Sequence, residues 1–245
     1  MAARPRKRTV NNASDLPDPD LRRMLSGRPA VLPVGSTEQH GAHLPVSTDS
    51  DIVSEVAYRV SKKCGYLCMP TIQYGVSFEH SPYLNLSLRG ATLRHVVRDI
   101  ISSMASAGAP AVFVINGHHG NARHLEGLES KRAPRTRVIS YWHYLEEGLD
   151  HAGDIETSIM LAISDKVRMS RAKKGFVPPE LDDTGRERLS KRASRSFIEV
   201  TGNGIWGDPR KATAKKGEEM LSRATRAISI ECRAWLRAGR NPSRA

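Results

Sequence analysis

The run Ala111-Val112-Phe113-Val114-Ile115 constrains the fold most. Consecutive apolar residues without polar alternation fit a strand covered on both faces, as in a parallel sheet. Just before it, Thr92 to Ala107 repeats Leu93, Val96, Val97, Ile100, Ile101 and Met104 on one helical face. Thr92 is placed to cap that helix and Gly108 to stop it. The same alternation recurs: a strand over Ala30–Val34, then a helix over Asp49–Lys63 with Ile52, Val53, Val56, Ala57 and Val60 on one face. Further helices are expected over Pro17–Ser26, Asn121–Glu129, Gly153–Ile163 and Ala214–Leu236. Extended segments are expected over Tyr66–Tyr74, broken by Pro70, and over Arg137–Trp142. Alternating strands and helices give an α/β fold with a mostly parallel sheet sandwiched by helices.

A chain of 245 residues fits one sizeable domain. The domain is expected over 17–237, between a loose basic arm at 1–16 and a basic tail at 238–245. No run approaches the roughly 20 apolar residues of a membrane span. The basic N-terminus has no apolar stretch behind it, so a signal peptide is not expected. Cys64, Cys68 and Cys232 make neither a disulfide framework nor a C-x-x-C pair, which fits a reducing, cytoplasmic compartment.

The net charge of +12 invites a nucleic-acid reading. However, Arg4, Arg6, Lys7, Arg8, Arg233, Arg237, Arg240 and Arg244 crowd the two ends, where chains commonly fray. Nucleic acid is therefore not expected as the principal ligand; an anionic or phosphorylated substrate is compatible with the charge. Residues 165–212 are polar and basic and contain Pro178-Pro179. They read as irregular structure over the site or at a subunit contact.

The chemistry gathers in three segments. Gly35-Ser36-Thr37-Glu38-Gln39-His40-Gly41-Ala42-His43-Leu44-Pro45, with Asp49 after it, follows one strand. Asn116-Gly117-His118-His119-Gly120-Asn121 follows another, and His151-Ala152-Gly153-Asp154-Ile155-Glu156-Thr157-Ser158 opens a helix. In an open parallel sheet, loops at the carboxyl ends of strands meet at one edge. Glu38 and His40, two apart in an extended segment, point the same way. Asp49 is a helix N-cap, a metal ligand, or both. Glu156 lies on a mainly apolar helix and needs a salt bridge or a metal. Oxygen and nitrogen donors mixed in this way suit Zn, Mn or Fe.

These segments resemble the creatininase (creatinine amidohydrolase) family, as do Tyr74–His80 and Gly207-Asp208-Pro209 with Ala212-Thr213. The resemblance covers roughly residues 28–235. It implies a three-layer α/β/α sandwich, commonly a homo-oligomer (a hexamer), with two divalent metal ions per subunit. By position, Glu38, His40, Asp49 and His118 become ligands, with Asp49 bridging, and His151 transfers a proton. Where creatininase itself has a ligand Glu this chain has Gly120, so Glu156 becomes the replacement ligand and a catalytic group. His43, Glu79, His80 and His119 are expected to contact substrate. Ser81–Ser87 departs from the run of many relatives and is expected to help shape the pocket. The implied activity is metal-dependent hydrolysis of a C–N bond in a small non-peptide amide, cyclic amide or formamide. The alternatives are a peptidase of the same fold, similar to the one that trims the mycofactocin precursor, and a non-catalytic nucleic-acid- or protein-binding relative.

Overall fold

The computed structural model describes residues 11–239. Its sheet has four parallel strands in the order β2-β1-β3-β4. These are β1 (Ala30–Val34), β2 (Leu67–Cys68), β3 (Ala111–Asn116) and β4 (Arg135–Ser140). The eight α-helices among the described residues are α1 (Asp18–Leu25), α2 (Thr48–Cys64), α3 (Gly90–Ser106), α4 (Ala122–Leu125), α5 (Asp154–Ile163), α6 (Asp183–Ala193), α7 (Phe197–Thr201) and α8 (Ala214–Ala238).

Strand alternation sorts the core into two halves. Ala30, Leu32, Val34, Val112 and Val114 face α1 and the Leu93, Val97, Ile101 and Met104 stripe of α3. Val31, Phe113, Ile115 and Ile139 face α2, α5 and α8, including Val56, Ile159 and Ile228. Helices therefore cover both sheet faces, which is why β1 is apolar throughout and β3 is apolar up to its last residue, Asn116. Gly217 lets α8 lie close on α5, since a Cβ there would sit 1.9 Å from the Ser158 carbonyl oxygen. None of the described helices is long and apolar enough to cross a membrane.

Several local expectations change. The α3 ladder begins at Arg89, whose carbonyl accepts from Leu93, so Thr92 lies inside the helix and caps nothing. The expected helix over Asn121–Glu129 is only α4, because the chain turns out at Glu126 and at Gly127 (φ +74°). β4 starts and ends earlier than Arg137–Trp142, and Tyr141–Tyr144 is a 3-10 turn. Tyr66–Tyr74 pairs only through β2 and a single bridge from Ile72 to Val34. Residues 11–16 are not a loose arm: the Cys68 N–H donates to Asn11 (2.7 Å) and Ala13 is buried. Arg233 and Arg237 belong to α8, and Arg233 donates to the Lys63 carbonyl. The remaining arm, residues 1–10, and the tail from Arg240 lie outside the described residues.

Candidate metal centre

The carboxyl ends of β1 and β3 supply the site. Asn121 ties their loops together: its Nδ2 donates to the Gly35 carbonyl (3.0 Å) and its Oδ1 accepts from the Val76 N–H (2.9 Å). Asn116 Oδ1 accepts from the His118 N–H (3.1 Å) and fixes the turn after β3. Asp49 lies in the first turn of α2, but the cap position is Ser47 and Asp49 makes no capping bond. Its two oxygens go elsewhere: Oδ1 is 3.2 Å from His40 Nε2, and Oδ2 is 2.9 Å from His118 Nδ1.

Each of those imidazoles has its other nitrogen on a main-chain carbonyl. His40 Nδ1 meets the Glu38 oxygen (3.1 Å), and His118 Nε2 meets the Val76 oxygen (2.9 Å). A carbonyl behind a histidine is the usual support for a metal-ligating ring. Two sets of side-chain donors lie within 4.8 Å of one another: Glu38, Asp49 and His118, and His40, Asp49 and Glu156. Asp49 belongs to both. A third set joins Glu38, His40 and His151.

Among the described residues, no Lys or Arg is paired with these buried acids. Glu156 accepts from the Ala152 N–H (2.7 Å) and lies 3.6 Å from His40 Nε2. Glu38 Oε2 accepts from Ser36 (2.7 Å), while Glu38 Oε1 and Asp49 Oδ2 are buried without an aligned hydrogen bond. The electrostatics show what such a cluster demands. Burial pulls His40 down, but Asp49 and Glu156 outweigh it and push it up to about 10. His118 is likewise raised to about 10 against its burial by Glu38 and Asp49. Burial pushes Glu156 up to about 8. Protons are being drawn in where a cation would neutralise the acids, and the donor set fits a divalent metal.

Sequence reasoning missed Gln39. Its Oε1 accepts from the Gly41 N–H (3.0 Å), which aims its amide nitrogen at the Gly204 carbonyl (3.1 Å), His80 Nδ1 (2.9 Å) and His151 Nε2 (3.1 Å). An amide has two N–H bonds, so they serve Gly204 and His80. His151 Nε2–H then donates to the Gln39 carbonyl (3.0 Å). This leaves the His151 Nδ1 lone pair facing Glu38 Oε1 at 3.9 Å. With Gln39 donating to His80 Nδ1, the proton of that ring sits on Nε2, 3.0 Å from the same Glu38 oxygen. Gln39→Leu is expected to lower kcat about 10–100-fold with metal content retained, which elemental analysis and steady-state kinetics check together.

Asp150 was also missed. It caps α5 by accepting from Ile155 (2.7 Å) and Glu156 (3.3 Å) N–H groups, and desolvation pushes its carboxyl up to about 7. An acid just ahead of a helix start was the available signal.

Of the expected substrate contacts, Glu79, His80 and His119 line a cavity of about 510 Å³ beside the cluster. His43 does not: it is buried, with Nε2 2.9 Å from Thr157 Oγ1. Ser81–Ser87 is also absent from the lining and braces the motif loop instead, Gln39 N–H donating to Leu84 and Leu86 N–H to Thr37. Residues 165–212, expected to be irregular, form α6 and α7 and wall the cavity with Leu181, Leu189, Phe197 and Trp206. At Gly120 a Cβ would come 2.2 Å from the Val76 oxygen and 2.6 Å from His118 Nε2, so no side chain fits there without a backbone shift.

The comparisons with known proteins agree with this geometry. The creatininase family profile, described as creatinine amidohydrolase, matches residues 14–231. A mycofactocin precursor peptide peptidase of Mycobacterium ulcerans is 32% identical over 203 residues, 78% of this chain and 79% of that one. A creatinine amidohydrolase of Pseudomonas putida is 32% identical over 165 residues, 54% of this chain and 63% of that one. Among solved structures, a manganese creatininase superposes with a TM-score of 0.74 at 27% identity, covering 91% of this chain and 98% of the other. A zinc–zinc form of a creatininase variant gives 0.75 at 27% identity, covering 93% and 98%. On the family match over most of its length and on these relatives, the chain belongs to the creatininase family.

Proposed function

We propose that this chain is a metal-dependent amidohydrolase that cleaves the C–N bond of an amide. Glu38, His40, Asp49, His118 and Glu156 would hold two divalent ions. The observation that carries the reading is the pair of buried donor sets sharing Asp49, one oxygen turned to each. Bound there, divalent ions supply Lewis-acid polarisation of an amide carbonyl and of water. Zinc and manganese forms of creatininase support Zn or Mn as the ions; Fe accepts the same donors.

The chain's own residues would do the rest. Burial, with His40 and His80 alongside, holds His151 well below its ordinary value, so its ring is neutral. Gln39 keeps the ring's lone pair at Nδ1, which would take a proton from water and return it to the departing nitrogen.

A peptidase is the second reading, favoured by the cavity of about 510 Å³, roomier than a small cyclic amide requires. A phosphorylated substrate finds less support. Arg186 is the one Lys or Arg among the lining residues, and it is engaged with Asp183 (2.6 Å). A cytoplasmic homo-oligomer belongs to the same proposal, and light scattering measures the subunit number.

The test is hydrolysis of creatinine, formamides and short peptides by chelator-treated and by zinc- or manganese-loaded protein. Turnover confined to the loaded protein supports the reading; equal turnover without metal contradicts it. Metal binding is also expected to release protons. With His40 and His118 raised to about 10, both rings are protonated at pH 7.5 in the metal-free protein and must deprotonate to coordinate. Glu156, pushed up to about 8, is also mostly protonated at pH 7.5 and must deprotonate to coordinate, so calorimetry in buffers of different ionisation enthalpy is expected to show release of about two to three protons per chain; no release would contradict the ligand assignment.

A further inference from the structure

The cavity has two kinds of wall. Its floor is Asp49, His118, His151 and Glu156, the polar cluster described above. Its sides are mainly apolar: Trp142 and Leu149 on one hand, and Leu181, Leu189, Phe197 and Trp206 from the 165–212 segment on the other, with Glu180, Arg186, Ser190 and Ser194 of that segment also on the lining. The apolar side comes right up to the chemistry. The Phe197 ring lies 4.9 Å from His151 and 4.7 Å from His80. Trp206 stacks behind Phe197 at 6.2 Å with 23° between planes, and Phe176 packs on Trp206 at 5.1 Å. Phe197 is therefore propped in place beside the imidazoles.

The segment that builds this wall is otherwise strongly polar. α6 reads Asp-Thr-Gly-Arg-Glu-Arg-Leu-Ser-Lys-Arg-Ala, and Leu189 and Ala193, one turn apart, are its apolar residues. Both line the cavity. A polar helix that turns its few apolar side chains into a reaction chamber is matched to an apolar ligand.

We infer that the chamber selects amides carrying an aromatic or branched aliphatic group directly beside the scissile C–N bond, with Phe197, Trp206 and Leu189 as the specificity-determining residues. The inference rests on the amidohydrolase reading for its scissile bond, but the binding preference stands apart from turnover. A substrate with only a few heavy atoms leaves these walls wet. A flanking charge would be desolvated against them, and Arg186 is already paired.

Two measurements on metal-loaded wild-type protein test it. The first compares kcat/KM across short peptides that differ only at the residue flanking the scissile bond. Leucine and phenylalanine are expected to exceed glycine about 10–100-fold, with aspartate and lysine at or below glycine. Equal rates, or a preference for the charged residues, would overturn the inference. The second follows binding of 3-phenylpropanamide and of acetamide by calorimetry. The phenyl compound is expected to bind at least about 10-fold more tightly, and Leu189→Glu to remove that advantage with metal content unchanged. α6 is polar and largely exposed, so it accommodates that substitution. Tight phenylpropanamide binding without hydrolysis of any amide would sink the amidohydrolase reading and leave the apolar chamber standing. Turnover without an apolar preference would do the reverse.

Discussion

Asp49→Ala is expected to abolish metal retention and activity together, with kcat/KM falling by on the order of 10³-fold or more. The size of the effect follows from position. Asp49 is the one carboxylate common to both principal donor sets, with Oδ1 at His40 and Oδ2 at His118. Removing it leaves each set two side chains, too few to hold a divalent ion tightly. The fold should survive, because Asp49 makes no capping bond and α2 is held by Ile52, Val53, Val56 and Val60 in the core. Asp49→Asn separates shape from charge, since it keeps the packing and removes one anionic oxygen. Both variants should lose metal by elemental analysis while circular dichroism stays unchanged. A variant that kept full metal content and activity would remove Asp49 from its bridging role.

His151→Ala is expected to keep the metals and lose turnover, by about 10²–10⁴-fold in kcat. His151 sits at the edge of the cluster: its Nδ1 is 3.9 Å from Glu38 Oε1, against 2.9 Å and 3.2 Å for the Asp49 contacts of His118 and His40. Its ring is packed on His40 at 4.2 Å and orientated by Gln39. A group held in this way is positioned to move a proton. The measurement is kcat beside metal content. Metal lost in step with activity would make His151 a ligand and leave proton transfer to another group.

Much of this was legible in the sequence. β1 and β3 announce themselves because both faces of each are covered, so Ala30–Val34 and residues 111–115 are apolar at every position. The stripes of α2 and α8 show equally well, since each has one buried face and one turned to solvent, while α5, buried from Ile155 to Met160, reads as mainly apolar. Glu38, His40 and His118 were legible together because loops after parallel strands converge on one edge, whereas Glu156, open to a salt bridge or a metal, was assigned as a ligand only through the family resemblance.

What was not legible depended on distant partners. Gln39 looks like a spacer between Glu38 and His40, and its meaning lies in contacts with His80, His151 and Gly204. His43 shares the motif but turns away to Thr157, because the chain reverses at Gly41 (φ +64°) before reaching it. The start of β4 was hidden because it is polar: Arg135 opens the strand and turns its guanidinium to the Trp235 and Leu236 carbonyls of α8. α6 carries almost no apolar stripe because it faces a cavity rather than a core.

The central claim is metal dependence at the shared-Asp49 cluster, and one titration tests it most directly. Zinc or manganese is added stepwise to chelator-stripped wild-type protein while amide hydrolysis and bound metal are read together. The account predicts negligible activity in the stripped protein and full activity at about two ions per chain. Full activity before any metal is added, or no metal bound at saturation, would contradict it.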